Sequence, residues 1–189
     1  MNIKETHRNR FEIIKDLPRH INVCEIGVLT GVFSQFILDT VAPEKLTLID
    51  PWFFNESGGD STNASQHIQD GRYSQILKTF DKEIKSGAVE VIRKKSSCIS
   101  EIFTDSSFDF MYIDGSHSYH DVKKDLENCF NKTKVGGAIG VDDYHPNWIG
   151  VYRAVQDFIQ EKGGDISIEF YSGVGGGSSP NIFFKVLNK

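Results

Sequence analysis

Apolar residues along this chain fall into short runs separated by segments in which they recur at helical spacing. The runs predict seven strands: Ile21–Ile26, Lys45–Asp50, Ala88–Lys94, Phe108–Asp114, Gly137–Asp143, Ser167–Tyr171 and Asn181–Leu187. Between them the spacing predicts helices over residues 3–16, 30–40 (with Val32, Phe33, Phe36 and Ile37 facing inward), 73–85, 98–103, 118–131 and 149–160. The fifth of these starts at Ser118, with Asp121 three residues on, as in a capping box. Along 149–160, Ile149, Tyr152, Val155, Phe158 and Ile159 form one apolar stripe.

Alternating strands and helices imply an α/β fold, a doubly wound parallel sheet with helices on both faces. The last two strands are joined by the glycine-rich stretch Gly173–Pro180, too short for a crossover helix, so they should pair antiparallel. The expectation is therefore a seven-stranded, mostly parallel sheet with an antiparallel last strand. Residues 1–189 read as one domain, with an N-terminal helix in 1–19 and a mobile lid in the polar stretch 51–70.

The chain has 21 basic and 26 acidic residues, a net charge of −5, and no Lys/Arg block longer than three. That argues against nucleic acid or an anionic membrane surface as the main partner. Cys24, Cys98 and Cys129 follow no CxxC pattern and read as packed, reduced thiols. The N-terminus lacks a signal-peptide core, and no apolar run approaches the ~20 residues that span a bilayer. A cytoplasmic setting is the expectation.

The first strand runs into Glu25-Ile26-Gly27-Val28-Leu29-Thr30-Gly31. Two glycines here open a helix, an arrangement that brings a ligand to a helix N-terminus. A dinucleotide fingerprint would need glycine at 27, 29 and 32, but the chain has Leu29 and Val32. Glu25 is placed to accept from an ammonium group, and Asp50, ending the second strand, to hold a ribose diol. Ser96 and Ser97, after the third strand, are in reach of an adenine edge. S-adenosylmethionine (SAM) matches this set, with Glu25, Gly27, Gly31, Ser34, Asp50, Ser96, Ser97 and Asp114 as its candidate contacts.

Asp114 ends the fourth strand, and Asp142 and Asp143 end the fifth. Neighbouring strands lie ~4.8 Å apart, so three carboxylates should gather at one point. Such a group repels itself unless a cation joins it, and all-oxygen donors suit Mg²⁺ first, then Mn²⁺ or Ca²⁺. Adjacent residues of a strand face opposite sides, so the pair Asp142 and Asp143 can converge only where the strand has ended.

Segments 25–34, 46–50, 108–119 and 135–144 resemble the motifs of class I SAM-dependent O-methyltransferases. Glu-Ile-Gly-Val-Leu-Thr-Gly is similar to the first motif of the catechol and caffeoyl types. Tyr-Ile-Asp-Gly-Ser-His-Ser-Tyr and Val-Asp-Asp-Tyr resemble the metal-dependent group that includes macrocin and other antibiotic-sugar O-methyltransferases. The resemblance implies a Rossmann-like methyltransferase fold and metal ligands at Asp114, Asp142 and Asp143. It also implies a base at His117, where catechol-type enzymes place a lysine. Asp114 and His145 are the other candidate bases. His145, Tyr144 and Trp52 are candidate substrate contacts, although Trp52 would serve equally to anchor the loop. Phe33 stands where catechol-type enzymes tend to have serine, and Ser34 comes one position late.

The expected activity is methylation of a sugar hydroxyl in a glycan or secondary metabolite, with an aryl diol as the alternative acceptor. A NAD-dependent oxidoreductase and a non-catalytic SAM-binding domain are the competing classes. Antibiotic-sugar relatives carry extra N-terminal structure, so a homo-oligomer or a domain of a larger enzyme is also an expectation.

Overall fold

The computed structural model describes residues 5–6, 8–55, 62–172 and 180–189. Strands β1 (Glu5–Thr6), β2 (Asn22–Ile26), β3 (Lys45–Ile49), β4 (Val89–Ile92), β5 (Phe108–Ile113), β6 (Thr133–Val141), β7 (Ile166–Ser172) and β8 (Asn181–Val186) form one sheet. Their order is β1-β7-β8-β6-β5-β2-β3-β4. β8 is antiparallel to both β6 and β7, and all other pairs are parallel. The helices are α1 (Arg10–Ile13), α2 (Val32–Val41), α3 (Gln66–Thr79), α4 (Asp81–Ser86), α5 (Ile99–Ile102), α6 (Tyr119–Lys132) and α7 (Ile149–Lys162).

Side-chain alternation divides the core into two layers. Cys24, Ile26, Met111, Ile113, Ile139 and Val141 pack with Leu126 and Cys129 of α6 and Val151, Ala154 and Val155 of α7. Val23, Leu46, Leu48, Phe110 and Tyr112 face the other way, onto Phe33 and Ile37 of α2 and Ile76 of α3. The sheet is thus covered on both faces, as a parallel sheet requires. All three cysteines are buried and free.

The expected antiparallel terminal hairpin is present, although most of its turn, residues 173–179, lies outside the described residues. The sheet has one strand more than expected: β1 adds a parallel edge beside β7. The helix expected over 3–16 is accordingly replaced by β1, the one-turn α1 and a 3-10 turn at Ile14–Asp16. Asn9 sets the start of α1. Its side chain accepts from Glu12 N at 3.1 Å, and the Glu12 carboxylate accepts from Asn9 N at 3.0 Å. This reciprocal cap fixes the helix start at Arg10. The chain turns extended at Leu17, before Pro18, as a residue preceding proline prefers.

Three further expectations are corrected. Val32 and Ile149 are exposed, because each sits at the first position of its helix, on the outer side of the entry. The strand expected from Gly137 begins at Thr133, and Gly136-Gly137 lies inside it at an irregularity opposite Phe108–Phe110. The helix expected from Tyr73 begins at Gln66, within the 51–70 segment, whose residues 56–61 lie outside the described residues. Gln66 accepts from Phe54 N and donates to Trp52 O, tying the loop to the helix start. Among the described residues, no helix is long and apolar enough to cross a membrane.

Candidate active site

The carboxyl ends of β2, β3, β5 and β6 meet at one edge, where ligands of open parallel sheets bind. Gly27 stands at φ +84°, and a Cβ there would lie 1.9 Å from the carbonyl oxygen of Asp114. Gly31, at φ +77°, would bring a Cβ within 2.6 Å of Ile76. Both glycines are thus required first by the protein's own packing, which a ligand-centred reading of the motif does not foresee. Asp50 has a similar internal task. Its carboxylate accepts from Val28 N (2.9 Å), Leu29 N (3.0 Å) and Trp52 N (2.7 Å), fixing the loop after β2.

Glu25 and Ser34, both expected at the cofactor, are bonded to each other. Glu25 is buried and accepts from the Ser34 hydroxyl at 2.5 Å, and Ser34 has no exposed surface. Burial, opposed by the Ser34 bond and reinforced by Asp114, pushes the Glu25 carboxyl up to about 8. Ser96 hydrogen-bonds to Asp125 of α6, whereas Ser97 is exposed.

The three acids do gather. Asp114, Asp142 and Asp143 each present an oxygen, all within 4.8 Å of one another. The conflict between adjacent strand positions is removed because β6 ends at Val141 and Asp143 adopts φ +56°. Asp143 Oδ2 lies 2.9 Å from His117 Nε2. The imidazole in turn stacks on Trp148, with ring centroids 4.0 Å apart and planes at 30°. The N-terminus of α7 holds this arrangement: a Cβ on Gly150 would meet His117 O at 2.2 Å. Gly115, Ser116, Val122 and Val151 complete a small cavity around the acids and His117.

Arg10 enters the same place from the N-terminal arm. Its Nη1 donates to Asp114 Oδ2 (2.6 Å) and to Asp142 Oδ2 (2.7 Å). The guanidinium lies over Phe33, 4.7 Å from the ring centroid, with Phe11 and Tyr112 also close. Burial opposes its charge, but Tyr112, Asp142 and Asp114 outweigh burial and hold the group firmly protonated. Burial and then the charge of Asp114 push Asp142 up to about 8, with Arg10 pulling it down. Asp114 is raised by burial and lowered by Arg10.

Two expected substrate residues have partners within the chain. Trp52 is buried; its indole N–H donates to Leu29 O at 3.0 Å and its ring packs on Tyr73, so it anchors the loop. Tyr144 stacks on Tyr152 of α7, with centroids 5.3 Å apart, and its hydroxyl accepts from Gln156. His145 Nδ1 accepts from Asn147 N at 3.2 Å, a local turn contact, and the residue remains half-buried. Arg10, Trp148 and Gly150 were not foreseen. Arg10 is 104 residues from Asp114, and no local pattern marks such a pair.

A family model described as a methyltransferase domain matches residues 24–144, more than half of the chain. The chain belongs to this methyltransferase-domain family. The match runs from β2 through the acid cluster to Tyr144, so the methyltransferase site and the carboxylate group share one segment. A comparison with curated proteins found no match. Solved structures share the fold of this methyltransferase. One is a proposed rRNA methylase from Clostridium thermocellum, 12% identical, TM-score 0.71, covering 100% of this chain and 99% of that one. Another is a proposed methyltransferase from Streptococcus mutans, in complex with SAH, 11% identical, TM-score 0.68, covering 95% and 99%. A third is the O-methyltransferase TomG of Streptomyces achromogenes, involved in tomaymycin synthesis and in complex with SAM, 14% identical, TM-score 0.63, covering 90% and 75%.

Proposed function

We propose that this methyltransferase uses SAM to methylate a hydroxyl of a diol-bearing acceptor, a sugar first and an aryl diol second. The observation that carries this reading is the His117–Asp143 pair at 2.9 Å, beside Asp114 and Asp142, in a chain of the methyltransferase family. SAM supplies an electrophilic methyl group. The chain's own part is to hold the cofactor, orient the acceptor and take its proton.

The loop from Gly27 to Gly31, Asp50 and Ser97 line the end of the sheet where the cofactor would lie. A carboxylate offers about four acceptor positions, so Asp50, with three in use, retains room for one ribose hydroxyl rather than two. If His117 donates Nε2–H to Asp143, its Nδ1 carries the lone pair that takes the acceptor proton. Asp143 then stabilises the imidazolium that forms.

The three carboxylates are a fitting donor set for Mg²⁺ or Mn²⁺. Asp142 Oδ1 is buried without a hydrogen-bond partner, an oxygen ready for a cation. Such an ion would lower the pKa of an acceptor hydroxyl. Two structural neighbours are described as rRNA methylases. The net charge of −5 favours a small acceptor over RNA.

The test is methyl transfer from labelled SAM over a panel of sugars, catechols and rRNA fragments, read by mass spectrometry, with and without EDTA. A methylated sugar or catechol hydroxyl is the expected product. Methylation of RNA alone, or of nitrogen alone, would refute the reading.

A further inference from the structure

The acid cluster already contains a cation, and it is part of the chain. Arg10 Nη1 bonds to Oδ2 of both Asp114 and Asp142. These carboxylates belong to the group whose oxygens lie within 4.8 Å of one another. A guanidinium and a divalent ion cannot both occupy that point. We propose that Arg10 is a displaceable counter-cation, so that a divalent ion binds the three aspartates only when the N-terminal arm carries Arg10 away. The proposal rests on reading Asp114, Asp142 and Asp143 as a ligand set, and not on the identity of the acceptor.

Two observations support exchange rather than permanent substitution. First, Asp142 Oδ1 is buried, on a residue only 7% exposed, and has no hydrogen-bond partner. Arg10 thus satisfies one oxygen of Asp142 and leaves the other unmet, whereas a hard ion with six or more oxygen ligands could draw on both. Second, the part of the arm that carries Arg10, upstream of Ile13, has few attachments. Ile13 and Ile14 anchor the arm's downstream end in the core, and before that anchor it is held by the two-residue edge strand β1, the single turn α1 and ring contacts at Phe11. Phe11 meets Phe33 and Phe36 edge-on, with centroids 5.4 and 5.0 Å apart. When Arg10 leaves, the carboxylates repel one another and attract whatever cation is available.

The experiment titrates the full chain with Mn²⁺, followed by electron paramagnetic resonance, and with Mg²⁺ by calorimetry. Arg10→Gln should bind Mn²⁺ at least tenfold more tightly than wild type, and Asp142→Asn in that background should abolish the gain. Phe11→Ala, which loosens the arm without touching the acids, should fall between the two. Hydrogen exchange gives a readout in the unaltered protein: the amides of Glu12 and Ile13, which bond to Asn9 O, should exchange faster once Mn²⁺ saturates. Equal affinity in wild type, Arg10→Gln and Phe11→Ala would overturn the proposal, as would an ion bound to wild type with unchanged exchange in the arm. A folded Arg10→Gln protein that binds no Mn²⁺ would also overturn it. Lack of methyl transfer to any sugar or catechol would count against the proposed function and leave these metal readings intact.

Discussion

His117 illustrates how much a single residue's role depends on its neighbours. A histidine after a strand is not by itself a base. Here Asp143 holds one ring nitrogen at 2.9 Å and Trp148 covers one face, so the ring's position and plane are both set. Replacing His117 by Ala should lower kcat by about 10²–10⁴-fold, the usual contribution of a positioned base, with SAM affinity little changed. Steady-state kinetics with a SAM-binding titration checks this, and a loss in SAM affinity equal to the loss in kcat would assign His117 to the cofactor instead. The candidate site was partly legible at this scale. Acids at two neighbouring strand ends placed Asp114, Asp142 and Asp143 together because the strands are adjacent. Glu25 and Asp50 were legible as positions but not as tasks. Which hydrogen bonds a buried carboxylate accepts depends on loop backbone, such as the Val28 and Leu29 amides, that no spacing rule displays.

At the scale of elements, the 117–119 turn and the start of α7 behave as one unit. Gly150 has no room for a side chain, since its Cβ would lie 2.2 Å from His117 O and 2.8 Å from Tyr119 N. Both contacts are backbone, so α7 would have to move as a whole. Gly150→Ala should therefore destabilise the protein by about 1–3 kcal/mol, the usual cost of overpacking, and lower activity by shifting Trp148 off His117. Gly164, just after the same helix, has open space around it, and Gly164→Ala should stay within about 0.5 kcal/mol of wild type. Urea denaturation of the two variants distinguishes a site-specific clash from a general intolerance of alanine. Element type and order were well marked in the sequence, because runs in a parallel sheet are continuously apolar and helices show their stripe. The N-terminal arm was not. A two-residue strand and a one-turn helix leave too few positions for any period to register, and that arm is what brings Arg10 to the acids.

Across the whole molecule, burial of acid recurs away from the active edge. Asp125 of α6 is 2% exposed, and burial, relieved in part by Ser96 and worsened by Asp121, pushes its carboxyl up to about 7. In the unfolded chain it should titrate near the ordinary value of about 3.9. Below that pH both states are protonated and Asp125 adds no penalty. As pH rises from about 4 towards 7, the unfolded chain releases a proton that the folded protein retains, and stability falls. Above about 7 both states are ionised and the penalty is constant. Three pKa units correspond to about 4 kcal/mol at most, and relaxation or entry of water would reduce this. Asp125→Asn keeps the size and the hydrogen bond to Ser96 but cannot ionise. Its stability relative to wild type should therefore rise between pH 4 and pH 7 and then level off. Denaturant midpoints at pH 4, 5.5, 7 and 8.5 test this, and the difference between the two proteins cancels the shared contributions of Glu25 and Asp142. A gap that stays flat across the series would mean that Asp125 ionises in the folded protein as readily as in the unfolded one. Any loss of stability towards neutral pH would then come from other groups, with the strand-end acids Glu25 and Asp142 the first to test.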